Sequence, residues 1–239
     1  MEEASLIQQL MEFSLSRQEA IIYLELLKHS QLTGYEIAKY SGISRSNVYG
    51  GLKGLQEKGG AELIEGTASK YIAVPIQEFC KNRIRRLEKC KSYLVDNITQ
   101  TDKIQDGYIT IVGYDNIKNK AISMIESTHT RFYLAGSQRV ISELLPEIKS
   151  KVKDGIQVKL ISDYHWALEE GLEQAKCYIT DQEIDQIRLI TDSSFVLTGI
   201  FSGNKQDSCL YSGQKHLVNL IKEAIGNKIK LVEKEGKLR

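Results

Sequence analysis

The chain has 239 residues, with 32 Lys and Arg against 31 Asp and Glu, for a net charge of +1. Its length allows two domains, and a hydrophobic fraction of 41% excludes a disordered chain. At face value near-neutrality argues against a nucleic-acid binder, because phosphate contacts need clustered cations.

No apolar run approaches the roughly 18 residues of a membrane span, and Met1-Glu2-Glu3 is acidic rather than signal-like. Cys80, Cys90, Cys177 and Cys209 form no CxxC, and His29, His129, His165 and His216 are equally scattered. The sequence therefore offers no zinc pattern, no Gly-rich phosphate loop and no cofactor motif. Reduced thiols, with neither a leader nor a membrane segment, predict a cytoplasmic protein.

In chain order, Ser16-Arg17-Gln18-Glu19 predicts a capping box, with Ala20, Tyr23, Leu24 and Leu27 on one helical face behind it. Thr33-Gly34-Tyr35-Glu36 predicts a second box, opening a short helix with Ile37 and Tyr40 inward. After the turn Ser41-Gly42-Ile43, Ser44 is a third cap candidate, and Val48, Leu52 and Leu55 mark a buried stripe. Lys58-Gly59-Gly60 closes that helix, and the runs 62–65 and 70–74 form a hairpin around Gly66-Thr67-Ala68-Ser69. From Ile76 to about Thr101 no Gly or Pro occurs, and Cys80, Ile84, Leu87, Lys91, Leu94 and Ile98 recur at coiled-coil spacing. A self-association helix and a helix packed on its own domain both fit that spacing.

Beyond residue 105 the runs Tyr108–Val112, Arg131–Ala135 and Ile156–Ile161 alternate with helical stretches at Asn116–Ser127 and Ser142–Lys153. That alternation predicts an α/β domain with parallel strands. Ile187–Ile190, Phe195–Phe201 and Ser208–Tyr211 read as antiparallel additions. A last amphipathic helix carries Leu217, Leu220, Ile221, Ala224, Ile225 and Ile229.

Helix, turn, second helix and hairpin is the order of a winged helix-turn-helix, whose second helix enters the DNA major groove. The helix from Ser44 offers Arg45, Ser46, Asn47, Tyr49 and Lys53 on its outward side. Arg can hold a guanine edge and Asn an adenine edge, while Ser and Tyr can bond phosphates. Thr67, Ser69 and Lys70 in the wing are candidate phosphate ligands, though polar residues are ordinary in turns. Gly50, Gly51 and Gly54 each cost about 1 kcal/mol against Ala inside a helix, so they mark either close approach or a frayed segment.

Residues Phe13 to Pro75 resemble the N-terminal domain of TrmB-family transcriptional regulators. The resemblance is carried by Leu15-Ser16-Arg17-Gln18-Glu19-Ala20, Leu32-Thr33-Gly34-Tyr35-Glu36-Ile37-Ala38, Ser44-Arg45-Ser46-Asn47-Val48-Tyr49 and the exit Tyr71-Ile72-Ala73-Val74-Pro75. It implies an α+β multidomain chain: a winged helix-turn-helix over 1–75, a dimerisation helix over 76–104, and a degenerate phospholipase D-like α/β effector domain over 105–239. The implied partners are double-stranded DNA, a second copy of the chain, and a small-molecule effector or partner protein. Some members of the family sense sugars.

Phospholipase D enzymes use His-x-Lys-x4-Asp, with His as nucleophile and Lys holding phosphate. In the best frame Asp192 fills the Asp position, but Asp185 and Ile187 replace His and Lys. The reading is therefore a non-enzyme, with an active phosphodiesterase and a winged protein-contact module as alternatives. Effector candidates follow the strands, where α/β sheets bind small molecules. They are Gly136 and Ser137, then Asp163, His165 and Trp166, although Trp166 equally suits a core. By segment the net charge is −3 for 1–30, +1 for 31–75, +3 for 76–104 and 0 for 105–239. The acidic start thus hides a recognition region and a linker that are both net positive.

Overall fold

A computed structural model describes residues 2–66, 68–99, 107–180 and 186–234. The chain divides into two units, 1–101 and 102–239. No helix among the described residues is long and apolar enough to cross a membrane.

The first unit runs α1 (Glu2–Glu12), α2 (Arg17–Lys28), β1 (Leu32–Thr33), α3 (Gly34–Ser41), α4 (Arg45–Lys58), β2 (Ala61–Ile64), β3 (Lys70–Ala73) and α5 (Ile76–Asn97). Both expected capping boxes form: Ser16 with Glu19 opens α2, and Thr33 with Glu36 opens α3. Between α3 and α4, Gly42 takes φ +70°, a left-handed conformation that glycine adopts without strain. The three strands pair antiparallel in the order β1-β3-β2.

The buried stripe of α2 is Glu19, Ala20, Ile22, Tyr23 and Leu26. Leu24 is only half-buried and Leu27 is exposed, so the expected face was rotated by about one position. Tyr40 also departs from expectation. Ile37 alone fills the core from that face of the short α3, and the exposed Tyr40 ring stacks on His29 at 4.7 Å.

Two contacts lock the unit. The Tyr23 hydroxyl donates to the Val74 carbonyl at 2.8 Å, tying α2 to the end of the wing, and burial pushes its pKa up to about 12. Phe79, the buried anchor of α5, packs with its ring 5.4 Å from that of Tyr23. Beyond Phe79 and the half-buried Cys80 the expected seam of α5 is uncovered among the described residues. Ile84, Leu87, Leu94 and Ile98 are all about half exposed or more.

The second unit runs β4 (Ile109–Val112), α6 (Tyr114–Glu126), β5 (Arg131–Ala135), α7 (Gln138–Glu143), α8 (Leu145–Lys153), β6 (Gln157–Ser162), a 3-10 turn at Trp166–Leu168, β7 (Lys176–Ile179), β8 (Gln186–Thr191), β9 (Phe195–Ile200), β10 (Ser208–Ser212) and α9 (Lys215–Lys234). The sheet order is β4-β10-β9-β8-β5-β6-β7, and only β5-β6-β7 is parallel. The expectation of a parallel first strand is corrected, because β4 pairs antiparallel with β10 at the edge. The expected helix at 142–153 is two helices, α7 and α8, the second with Pro146 in its first turn where no N–H is needed.

Side chains alternate across this sheet. Phe132, Leu134, Val158, Leu160, Ile187, Leu189 and Leu197 meet α6, α7 and α8 on one face. Ala135, Ile161, Ile190 and Val196 meet Val218, Ile225, Ile229 and Val232 of α9 on the other. The expected stripe of α9 is therefore shifted, with Leu220 and Ala224 outside and Val218 and Val232 inside. The result is a three-layer α/β/α domain.

Glu19 links α2 to α4. Its carboxylate accepts from the Ser16 amide at 2.5 Å and from Lys58 Nζ at 2.6 Å. Burial raises its pKa, but the Lys58 and Ser16 contacts outweigh that, and the carboxyl ends below its usual value. Such a group stabilises fully above the ordinary carboxylate pKa of about 4.3, and its contribution is lost as pH falls through the lowered value. Glu19→Ala should destabilise the first unit by about 2–4 kcal/mol and remove that acid-dependent increment. Far-UV circular dichroism during urea melts checks this. The single Trp166, in the second unit, gives a fluorescence transition that should not move.

Candidate nucleic-acid interface

The outward side of α4 is built by what the inward side consumes. Val48, Leu52 and Leu55 are buried, which leaves Arg45, Ser46, Asn47, Tyr49, Gly50 and Lys53 exposed. Ser44 occupies the cap position, but its hydroxyl lies 3.3 Å from Ser46 Oγ and caps no amide. The first-turn amides of α4 therefore have no side-chain cap and are open to an anion.

The three glycines separate by role. A Cβ on Gly51 would lie 2.5 Å from Ile22 Cδ1, and one on Gly54 would collide with the Glu19 carboxylate. Both glycines serve the close crossing of α4 on α2. Gly50 has nothing within 4 Å of that position and lies on the exposed side. There the bare backbone can approach a groove wall.

Two of the candidate side chains are held from below by the start of α3. The Arg45 guanidinium rests 4.4 Å from the centroid of the Tyr35 ring. The Tyr49 ring packs on Gly34 so closely that a Cβ there would lie 2.8 Å away. Sequence reasoning missed Tyr35 and Gly34, although both lie in the capping-box segment and Tyr35 is an exposed aromatic residue. A cation on a ring face gains about 0.5–1 kcal/mol at such a site, enough to bias the arginine toward one orientation.

The wing is less cationic. Thr67 lies outside the described residues. Ser69 is exposed and Lys70 half-buried, in register with Thr33 and Ile64. Glu62 and Glu65 on the same hairpin are exposed carboxylates. Glu36 nearby is held low by the backbone and hydroxyl bonds from Thr33, and Lys70 adds to the effect.

In the second unit Gly136, Ser137, Asp163, His165 and Trp166 gather where β5 and β6 end. Asp163 Oδ1 accepts from the Gln138 amide at 2.7 Å and from Ser162 Oγ at 3.1 Å, so it pins the start of α7 to β6. Ser137 precedes α7 without capping it, and a Cβ on Gly136 would lie 2.7 Å from Val140. His165 is exposed, whereas Trp166 is 3% exposed and belongs to the core. Its ring meets Tyr164 edge-on at 5.1 Å, and its Nε1 is buried with no partner among the described residues.

Asp192 sits at φ +48° in the β8–β9 turn. It accepts from the amides of His129, Thr130 and Arg131 and from the Thr130 hydroxyl, at 2.6–3.0 Å. Burial opposes ionisation there, but these four donors prevail and hold the carboxyl far below its usual range. Ile187 is fully buried, and Asp185 lies outside the described residues.

Residues 10–77 match the family described as "Sugar-specific transcriptional regulator TrmB", and residues 107–221 match "Transcriptional regulator TrmB, EBD N-terminal subdomain". The chain belongs to the TrmB family. It is accordingly a DNA-binding transcriptional regulator. Among its relatives, the uncharacterized protein YrhO of Bacillus subtilis is 29% identical over 90% of this chain and 81% of that protein. The HTH-type sugar sensing transcriptional regulator TrmBL1 of Pyrococcus furiosus is 28% identical over 52% of this chain and 38% of its own length. Two solved structures match the chain, one over its whole length and one over part of it. TrmBL2, an archaeal chromatin protein, matches at 19% identity and TM-score 0.48, with both chains fully covered. The phospholipase D family member Nuc from Salmonella typhimurium matches at 15% identity and TM-score 0.42, covering 56% of this chain and 97% of its own.

The glycine geometry of this TrmB winged domain makes a stability prediction. Gly50→Ala should raise stability by about 0.5–1 kcal/mol through helix propensity. Gly54→Ala should lower it by about 1–3 kcal/mol, because the methyl group must displace Glu19. Urea denaturation of the two variants should therefore move in opposite directions.

Proposed function

We propose that this TrmB-family chain is a cytoplasmic homodimer that reads a two-fold operator through α4 and is modulated by its α/β domain. The observation that carries the reading is the exposed side of α4, where Arg45, Ser46, Asn47, Tyr49 and Lys53 surround the open Gly50 backbone. An α-helix fits the major groove, and its N-terminal residues are the ones placed to reach base edges. Arg45 reads guanine from its seat on Tyr35, and Asn47 reads adenine. Ser46, Tyr49 and Lys53 bond phosphates or sugars, with Thr67, Ser69 and Lys70 of the wing beside the flanking backbone.

The uncovered seam of α5 supports dimerisation. Ile84, Leu87, Leu94 and Ile98 recur at coiled-coil spacing and are exposed in the single chain, and Lys91 sets the register. An effector, a small molecule or a partner protein, meets Gly136, Ser137, Asp163 and His165, with Trp166 beneath them. It shifts the dimer between spacings that do and do not fit the operator. Catalysis is not part of this reading. Ile187 stands where a phosphate-binding lysine is required, and Asp192 spends its carboxylate on backbone amides.

Selection of genomic fragments bound by the protein supplies the operator. Arg45→Ala should then cost about 1–3 kcal/mol and relax preference at one base position of each half-site. Unchanged affinity and preference would remove Arg45 from the interface. Charged residues at Leu87 and Leu94 should give a monomer by analytical ultracentrifugation and a footprint of one half-site.

A further inference from the structure

Within 31–75, Lys58 is committed to Glu19. The remaining cations, Lys39, Arg45, Lys53 and Lys70, are matched one for one by Glu36, Glu57, Glu62 and Glu65. The helix-turn-helix and wing therefore supply shape and base contacts but no net charge for phosphates.

The missing charge is on α5. That helix carries Lys81, Arg83, Arg85, Arg86, Lys89 and Lys91 against Glu78, Glu88 and Asp96. At 100° per residue, Lys81, Arg85 and Lys89 rise in one line, with Arg86 beside them. All four are exposed, and among the described residues none has a carboxylate within ion-pair distance. Arg85 Nη2 donates only to Asn82 Oδ1, at 2.9 Å. Lys81, Arg85 and Lys89 turn away from Phe79, which faces the winged core, and Arg86 lies two turns beyond Phe79 where the helix is already exposed; all four lie off the apolar seam. Neither folding nor pairing through that seam uses it. From Lys81 to Lys89 it spans about 12 Å, a length of duplex axis that carries about seven phosphates.

We infer that the Lys81–Arg85–Arg86–Lys89 stripe of α5 is a second DNA-binding surface, which holds the phosphate backbone of duplex DNA without reading its sequence. DNA is the fitting occupant because the stripe belongs to the same structural unit as α4, whose own surroundings are charge-balanced. Cations placed at phosphates release counterions, so the stripe sets the salt dependence of binding while α4 sets its sequence preference.

The test uses the full chain and a random-sequence duplex in a salt series, read by fluorescence anisotropy. Replacing Lys81, Arg85, Arg86 and Lys89 together by Gln should lower the slope of log K against log salt by about 2–4 per protomer. Affinity at moderate salt should fall by about tenfold or more. Exchanging Lys for Arg and Arg for Lys at the same four positions should leave both unchanged. An unaltered slope in the Gln variant overturns the inference, as does an equal loss in the charge-preserving variant. A Gln variant that binds the duplex as before but loses adsorption to phosphatidylserine vesicles overturns it in favour of a membrane surface. The inference rests on the DNA-binding role proposed for the winged unit, yet the two fail separately. If α4 does not read bases, Arg45→Ala keeps its operator preference; if the stripe does not hold DNA, the random-duplex slope stays put.

Discussion

A single buried carboxylate sets the geometry on which the winged unit depends. Glu19 caps the start of α2 through Ser16, takes Lys58 at the end of α4, and fills the space that a side chain on Gly54 would occupy. One charged group thereby fixes two helices at their crossing, and Ile22 against Gly51 brings them closer still. Glycine inside α4 costs helix stability, but larger residues at 51 and 54 would hold α4 off α2. From that crossing the geometry passes outward. Tyr23 on α2 bonds Val74 at the end of the wing, and Phe79 seats α5 against the same tyrosine. The exposed side of α4 is thus placed by contacts made entirely on its hidden side.

What was legible in the sequence is what local chemistry decides. Both capping boxes, the stripe of Val48, Leu52 and Leu55, the Gly42 turn and the hairpin follow from neighbours a few positions apart, and all of them form. Gly51 and Gly54 could be recognised as anomalies but not explained, because Ile22 and Glu19 lie far upstream. Tyr35 under Arg45 was hidden for the same reason: the pair meets only when α3 and α4 fold together. In the second unit, strand and helix alternation correctly indicates layers but says nothing of order. β4 takes its place beside β10, from the other end of the unit, and so pairs antiparallel where a local reading expects a parallel neighbour. β7 escaped notice because Lys-Cys-Tyr-Ile is too short to show a period.

Three aspartates of the α/β unit spend their carboxylates on its own backbone. Asp192 takes three amides at the start of β5, Asp163 takes the first amide of α7, and Asp207 takes the amides of Ser202, Gly203 and Asn204. Burial pushes the Asp207 pKa up, but its hydroxyl and amide bonds bring it below the ordinary value, as at Asp192. A carboxylate held so is ionised, fixed and saturated, which suits a hinge point of a loop and not a group that must exchange protons. The residues that look most like chemistry in the sequence are therefore those that shape the loops at the sheet's ends. What they leave around the ends of β5 and β6 is polar, with His165 exposed.

The net charge of +1 misleads because charge acts over a Debye length of about 8–10 Å and not over a whole chain. The acidic N-terminal segment is neutralised in part where it stands: Glu3 and Glu25 share Lys28, and Glu19 takes Lys58. The α/β unit balances within itself. The uncompensated positive charge is concentrated on α5, a helix whose two long sides are chemically opposite, one apolar and one cationic. Such a helix can serve association and electrostatics at once without trading one against the other, since the two sides do not compete for the same residues. It also leaves α4 with few cations that would bind any sequence equally, so discrimination in the proposed interface would rest on the few side chains placed to reach base edges.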